Sequence, residues 1–392
     1  MPHRFDALHE SDLRERPLYK WRRFADDVLP MWVADMDYPV AEPVRAAIRA
    51  YAEGELFGYG PPGGLPGVRE AVVERLETRF GWSVPLEAVR IIPSTVAGLF
   101  TAAKAFASRG DGVVSLTPVY PPFRMAVERQ GRTFQSASLA EHEEGFRLDP
   151  EALEEAITPA TRLLMLCHPH NPTGRVFDRG ELDALAERVL AHRLFVVSDE
   201  LHADLNHGPT HVPFASLGPE LARRTVTLYG PTKAFNLAGV KGSFAICEDP
   251  SVLDRFEQAA FGFAMSAPNV SQLAAAAAFR DGDPWLDDTL AYLRGNLDRL
   301  AEAVRTELPG VRMHRPDATY LAWLDFRDTP LADDPAGLLL ERVRLGLNDG
   351  PSYGAEGRGF ARLNVATSRA LLDEAIARMA RALADGRGAA AT

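Results

Sequence analysis

Before about Pro284 the apolar positions follow two alternating periods. Short runs rich in aliphatic and β-branched residues recur at Val89 to Ile92, Val113 to Leu116, Leu163 to Cys167, Leu194 to Val197 and Val226 to Tyr229. Between them, Leu99 to Ala107, Pro122 to Arg129 and Glu181 to His192 place apolar residues three and four apart, on one face of a helix. Runs apolar throughout suit strands buried on both faces. Their alternation with helices predicts an α/β fold with a mostly parallel sheet. In such a sheet, functional residues gather at the carboxyl ends of strands, where the loops open.

Beyond Pro284 the rhythm changes. A long helical stretch from Trp285 to Leu308 precedes strand-like Tyr320 to Phe326 and Phe360 to Val365, and a last helix from Arg369 to Ala384. This pattern predicts a smaller α+β domain. The expected division is a large domain over 46–284 and a small one formed by 1–45 together with 285–392. No internal repeat is visible, and the run Ala274 to Ala278 reads as helix interior. Gly386 to Thr392 has neither period and is expected to fray.

Length and composition narrow the function. At 392 residues the chain can bury one large core and a satellite, and 46% apolar with 25% charged residues suits a globular enzyme. A formal net charge of −11 argues against nucleic-acid or anionic-membrane partners, since both reward a basic face. Cys167 and Cys247 are the only cysteines, giving neither a metal-ligand spacing nor a disulfide framework, so no metal is expected. The segment Met1 to Asp6 lacks the apolar core of a signal peptide, and no segment has the length of a membrane span. The expected location is the cytoplasm.

Candidate chemistry centres on Lys233, in Tyr229-Gly230-Pro231-Thr232-Lys233-Ala234-Phe235-Asn236-Leu237-Ala238-Gly239, directly after an apolar run. A lysine so placed suits a Schiff base with a carbonyl group, provided its ammonium form is disfavoured or its adduct stabilised. Taken alone it would be a solvated surface lysine. Three other segments change that. Asp199 ends the apolar run before Glu200 and can pair with a protonated pyridine nitrogen, although either carboxylate could also cap a helix or turn. Asn171, in the turn Asn171-Pro172-Thr173-Gly174, can donate to a phenolate oxygen. Arg362 offers a planar fork for an α-carboxylate. Ser94-Thr95-Val96-Ala97-Gly98 follows a strand and opens a helix, so backbone N–H groups near Thr95 and Val96 can hold a phosphate, with Thr232 and Lys241 adding a hydroxyl and a cation. Tyr120, in Pro118-Val119-Tyr120-Pro121-Pro122, can stack on an aromatic ring. The set describes a site for pyridoxal 5'-phosphate.

These residues resemble the fold-type I pyridoxal-phosphate enzymes of the class I/II aminotransferase family, and more narrowly its cystathionine β-lyase branch. The narrower resemblance rests on Met31-Trp32-Val33-Ala34-Asp35-Met36-Asp37-Tyr38-Pro39, Phe57-Gly58-Tyr59-Gly60, Ser198-Asp199-Glu200-Leu201-His202-Ala203-Asp204-Leu205 and Lys233 to Gly239, and it extends from about Phe5 to about Leu383. It implies an aspartate-aminotransferase-like fold in which Lys233, Asp199 and Tyr120 are catalytic. Lys233 carries the cofactor, Asp199 pairs with its ring nitrogen, Asn171 holds its phenolic oxygen and Tyr120 stacks on its ring. It also implies that Arg362, with Asn171, Ala34 and Asp35, binds substrate. Tyr59 resembles the tyrosine that reaches the phosphate of a neighbouring subunit, which implies a homodimer. His202 stands where aminotransferases of the family commonly have tyrosine, as suits the lyase branch. The family usually has serine at the position of Gly230, and Pro231 stiffens the lysine loop, so phosphate anchoring leans on Thr232, Lys241, Tyr59 and the amides near Thr95.

The expected activity is therefore that of a carbon–sulfur β-lyase, cleaving cystathionine or another S-substituted L-cysteine to a thiol, pyruvate and ammonia. Rivals are an aminotransferase, a specialised biosynthetic lyase or oxidative deaminase acting on a bulky cysteine conjugate, and a regulatory binding protein that retains the site.

Overall fold

The computed structural model describes residues 3–55 and 57–390, with side chains placed up to residue 385. Its centre is a seven-stranded sheet of β1 (Val89–Ile92), β2 (Gly112–Thr117), β3 (Thr133–Ser138), β4 (Thr161–Cys167), β5 (Phe195–Asp199), β6 (Thr225–Tyr229) and β7 (Ser243–Ile246). The order across the sheet is β1-β7-β6-β5-β4-β2-β3. All strands share one direction except β7, which runs antiparallel to both β1 and β6. The expected mostly parallel sheet is present, with each of the five apolar runs in it.

Strands β3 and β7 were not anticipated from the sequence, for different reasons. β3 is an edge strand in which only Ala137 is buried, so its Thr-Phe-Gln-Ser-Ala-Ser pattern carries little apolar signal. β7 is buried throughout, but of its four residues, Ser243-Phe244-Ala245-Ile246, only Phe244 and Ile246 are large and apolar.

Helix α1 (Thr95–Phe106) follows β1, and the Ser94 hydroxyl caps it by accepting from the Ala97 N–H at 3.2 Å. Gly98 lets its first turn approach the sheet: a Cβ there would come within 2.7 Å of a Leu228 methyl. Later in the chain come α2 (Asp283–Thr306) and α3 (Arg369–Ala390), with a second, antiparallel sheet between them. Its strands are β8 (Arg312–Met313), β9 (Leu321–Asp325), β10 (Asn348–Asp349) and β11 (Phe360–Asn364), in the order β8-β9-β11-β10. The stretch expected to fray is helical through Ala390, past the expected helix end at Ala384. Ala391 and Thr392 lie outside the described residues.

The N-terminal segment is built into this later part of the chain. Phe5 stacks on Tyr38 with ring centroids 4.0 Å apart, and the Tyr38 hydroxyl donates to the Thr367 carbonyl at 3.0 Å. Asn296 of α2 donates to the Val365 and Thr367 carbonyls at 2.8 and 3.0 Å. Lys20 Nζ and Trp21 Nε1 each donate to Asp37 at 2.7 Å, and Lys20 and Asp37 are both buried. These contacts hold the segment Trp32 to Asp37 against the open end of the large sheet. Among the described residues no helix is long and apolar enough to cross a membrane.

Removing one partner of a buried ion pair leaves the other charge uncompensated. Asp37→Ala should therefore cost about 3–5 kcal/mol in denaturant unfolding, and Lys20→Met combined with Asp37→Leu should recover most of it. A loss for Asp37→Ala of less than about 1 kcal/mol, the scale of an exposed pair, would show that the pair does not anchor the segment.

Candidate active site

The carboxyl ends of the parallel strands open onto a cavity of about 420 Å³. Five of the six parallel strands contribute from the loop behind them or from their last residue: Thr95 and Val96 after β1, Tyr120 after β2, Asn171 after β4, Asp199 at the end of β5 and Lys233 after β6. Arg362 of β11 and Ala34 of the N-terminal segment close the opposite wall. Of the residues singled out in the sequence, His202, Thr232 and Lys241 also line this space. Tyr59 and Asp35 do not. Tyr59 is fully exposed in a separate surface groove with Phe57 and Met265, whereas Asp35 borders an adjoining cavity that also reaches Lys233.

Lys233 Nζ donates to the Ala34 carbonyl at 2.6 Å. Burial pushes its pKa down to about 8; Asp35 works against that shift, Arg362 adds to it and Asp199 opposes it. A neutral amine donating one N–H to Ala34 still has its lone pair directed elsewhere. It can therefore act as a nucleophile or base only slightly above neutral pH.

Asp199 is buried with one backbone donor, the Leu201 N–H at 3.2 Å, and its other carboxylate oxygen has no protein donor among the described residues. Burial pushes its pKa up to about 7, partly offset by the Leu201 amide; nearby Glu200 raises it further and Lys233 lowers it. A cationic ring nitrogen above it would restore its charge. Glu200, the competing carboxylate, faces away from the cavity. It accepts from Ser198 Oγ at 2.8 Å, the Phe214 N–H at 3.1 Å and His211 Nε2 at 2.7 Å.

Arg362 Nη1 donates to Asn171 Oδ1 at 2.9 Å, and Nη2 to the Trp32 carbonyl at 3.2 Å. An arginine can only donate, so this contact fixes the Asn171 amide with its oxygen toward Arg362 and its Nδ2 free to donate elsewhere. Among the described residues Arg362 Nε has no partner, and the Tyr353 ring lies 5.2 Å from the guanidinium carbon. His202 is held neutral, its pKa lowered to about 3 by burial first and then by Lys233 and Arg362; its Nδ1 has no partner among the described residues.

Because Ser94 caps the Ala97 N–H, the Thr95 and Val96 N–H groups at the start of α1 remain, among the described residues, as unpaired donors beside the cavity. The absence of a hydroxyl at Gly230 also has a physical basis. A Cβ there would lie 3.0–3.2 Å from Ser243 atoms of β7, so the strand packing leaves little room for a side chain.

A buried lysine, an under-paired carboxylate, an amide donor oriented by arginine and a helix N-terminus together fit pyridoxal phosphate by the chemistry of their donor set. Among the described residues no group of His, Cys, Asp and Glu could hold a metal ion. The sequence reading missed Tyr19 and Asn348, which also line the cavity. Tyr19 lies in an N-terminal segment that folds back, and Asn348 in a two-residue strand; neither location carries a sequence signal.

The family model for aminotransferase class I and II matches residues 26–379. The chain is 38% identical over 366 residues to cystathionine beta-lyase PatB of Bacillus subtilis (strain 168), covering 91% of this chain and 93% of that protein. The crystal structure of OvoB is similar with a TM-score of 0.90 and 39% identity, over 94% of this chain and 97% of that one. The pyridoxal-phosphate-bound C–S lyase from Staphylococcus hominis is similar with a TM-score of 0.91 and 28% identity, over 98% and 99%.

Proposed function

This chain belongs to the class I and II aminotransferase family, and within it we propose a pyridoxal-phosphate-dependent carbon–sulfur β-lyase acting on cystathionine or another S-substituted L-cysteine. The observation that carries the reading is the convergence of Lys233, Asp199 and the Arg362–Asn171 pair on one cavity, in a chain similar over nearly its whole length to a cystathionine β-lyase. The net reaction takes up water and splits R–S–CH₂–CH(NH₃⁺)–COO⁻ into R–SH, pyruvate and ammonium.

When bound, pyridoxal phosphate supplies a carbonyl for amines and an electron sink for the pair left by the α-proton. The chain's own residues do the rest. The Thr95 and Val96 amides, the Thr232 hydroxyl and Lys241 would hold the phosphate. Asp199 would keep the ring nitrogen protonated, Asn171 Nδ2 would donate to the phenolic oxygen, and Tyr120 would pack against the ring. Arg362 grips the substrate carboxylate, with Ala34 and its neighbours forming the wall behind it. The Lys233 amine, set in the wall of the site, would take the α-proton on Nζ. Neutral His202 adds no charge beside Lys233, and so leaves the amine basic enough for that step.

The same reading places a large domain over 46–284 and a small one over 1–45 with 285–392, a cytoplasmic location, and a homodimer in which Tyr59 completes the neighbouring site. The exposed apolar side chains near Tyr59 support the dimer: Phe57, Phe261, Phe263 and Met265 lie open on the surface of the single chain.

A panel of S-substituted cysteines should release thiol and pyruvate together, and Lys233→Ala should abolish both. Transfer of the amine to an added keto acid with no thiol released would make the enzyme an aminotransferase instead. Mixing Lys233→Ala with Tyr59→Ala subunits should restore activity, because a mixed dimer rebuilds one intact site. A monomer in sedimentation, or no recovery on mixing, would overturn the shared site and leave the lysine chemistry standing.

A further inference from the structure

Two carboxylates stand two residues apart at Asp35 and Asp37, and their surroundings differ. Asp37 is occupied by Lys20 and Trp21. Asp35 has its backbone pinned instead: its N–H donates to the Val33 carbonyl at 2.8 Å, while its carbonyl accepts from Lys20 Nζ at 3.4 Å and from Asn364 Nδ2 at 2.7 Å. Among the described residues no side chain hydrogen-bonds to its carboxylate. That carboxylate borders a second cavity, of about 580 Å³, which Lys233 also lines. The two cavities share Tyr19, Val33, Ala34, Lys233 and Ala238, so the lysine stands in the wall between them. The residue just before Asp35 is the one whose carbonyl takes the Lys233 N–H at 2.6 Å.

We propose that Asp35 is a positioning residue for Lys233, a fixed counter-charge that keeps the α-proton on the lysine amine until the departing sulfur takes it. This rests on the lyase reading. The proton passes from Cα to Lys233 Nζ, the pair it leaves behind becomes the Cα=Cβ bond as the C–S pair departs with sulfur, and the proton passes from Nζ to sulfur; the water of the net reaction then releases pyruvate and ammonium, and no oxidant is needed. Proton transfer from an ammonium group to sulfur, a heteroatom with a free lone pair, meets a lower intrinsic barrier than transfer to carbon, which an aminotransferase requires, so a carboxylate that holds the proton on nitrogen suppresses the carbon route more.

The electrostatic surroundings agree. Burial holds the Asp35 carboxyl above the usual carboxylate range, Lys20 and Lys233 oppose that shift, and Asp37 adds to it. Arg16 borders the same cavity but donates to the Asp37 carbonyl at 2.8 Å, and the buried Tyr320 phenol is raised by burial first and then by Asp35. Facing Lys233 from the other side are Arg362 and Asp199.

The test is a pH titration of the bound cofactor's visible absorption in the holoenzyme, which reports the proton at the Lys233 nitrogen. In Asp35→Asn the midpoint should fall by about one pH unit, roughly a tenfold loss of proton affinity, because a negative charge that favoured the protonated form is gone. Asp35→Glu should return most of it. The ratio of pyruvate released to amine transferred should fall severalfold in Asp35→Asn. A titration unchanged from wild type, with only turnover reduced, would reduce Asp35 to a packing residue. If Asn at position 35 prevents cofactor binding, pH-dependent amine labelling of Lys233 in the cofactor-free variant decides instead, and a midpoint equal to wild type overturns the proposal. A wild-type enzyme that releases no pyruvate would defeat the lyase reading but leave the titration able to judge Asp35.

Discussion

Taking the Lys233 amine out of water is the constraint on which the rest of the site depends. Burial alone drives the ammonium toward the neutral amine, and the counter-charges Asp35 and Asp199 limit that fall to a pKa of about 8. Full exposure would leave the amine protonated and inert near neutral pH. Full burial with no carboxylate nearby would drive the proton off altogether and leave nothing to carry it between substrate atoms. The site holds the amine between these limits with charges supplied by three separate parts of the chain.

The fold supplies those parts by geometry. A parallel sheet puts the end of β5, the turn after β4 and the loop after β6 side by side, so Asp199, Asn171 and Lys233 become neighbours although 62 positions separate the first of them along the chain, Asn171, from the last, Lys233. The other wall comes from β11 and from the N-terminal segment, held by the Lys20–Asp37–Trp21 contacts and by the Phe5–Tyr38 stack. That segment brings the Ala34 carbonyl to Lys233 and the Trp32 carbonyl to Arg362. A loss of N-terminal packing would therefore loosen both the amine and the guanidinium.

The sequence revealed what depends on local pattern. The five apolar runs are all strands of the central sheet, and the groups marked at their ends share one cavity, because strand-end placement is a property of the chain order itself. The family resemblance singled out Asp199 over Glu200, and the structure gives the physical reason: Glu200 is taken up by Ser198, His211 and the Phe214 N–H while Asp199 lines the cavity. Strand β3 was hidden by its polar edge position, and Tyr19 and Asn348 because they reach the site through tertiary folding alone. Gly230 was marked as a departure from its family, yet the reason, Ser243 packed against it from the antiparallel strand β7, lies in a neighbour not adjacent in sequence.

The most direct measurement is the pH dependence of amine labelling at each lysine of the cofactor-free wild-type protein, read by mass spectrometry. The Lys233 midpoint should lie near 8, well below that of a solvated lysine titrating near 10.4. A Lys233 midpoint in the ordinary lysine range would contradict this reading of the site, because the amine would then be neither desolvated nor prepared for the chemistry assigned to it.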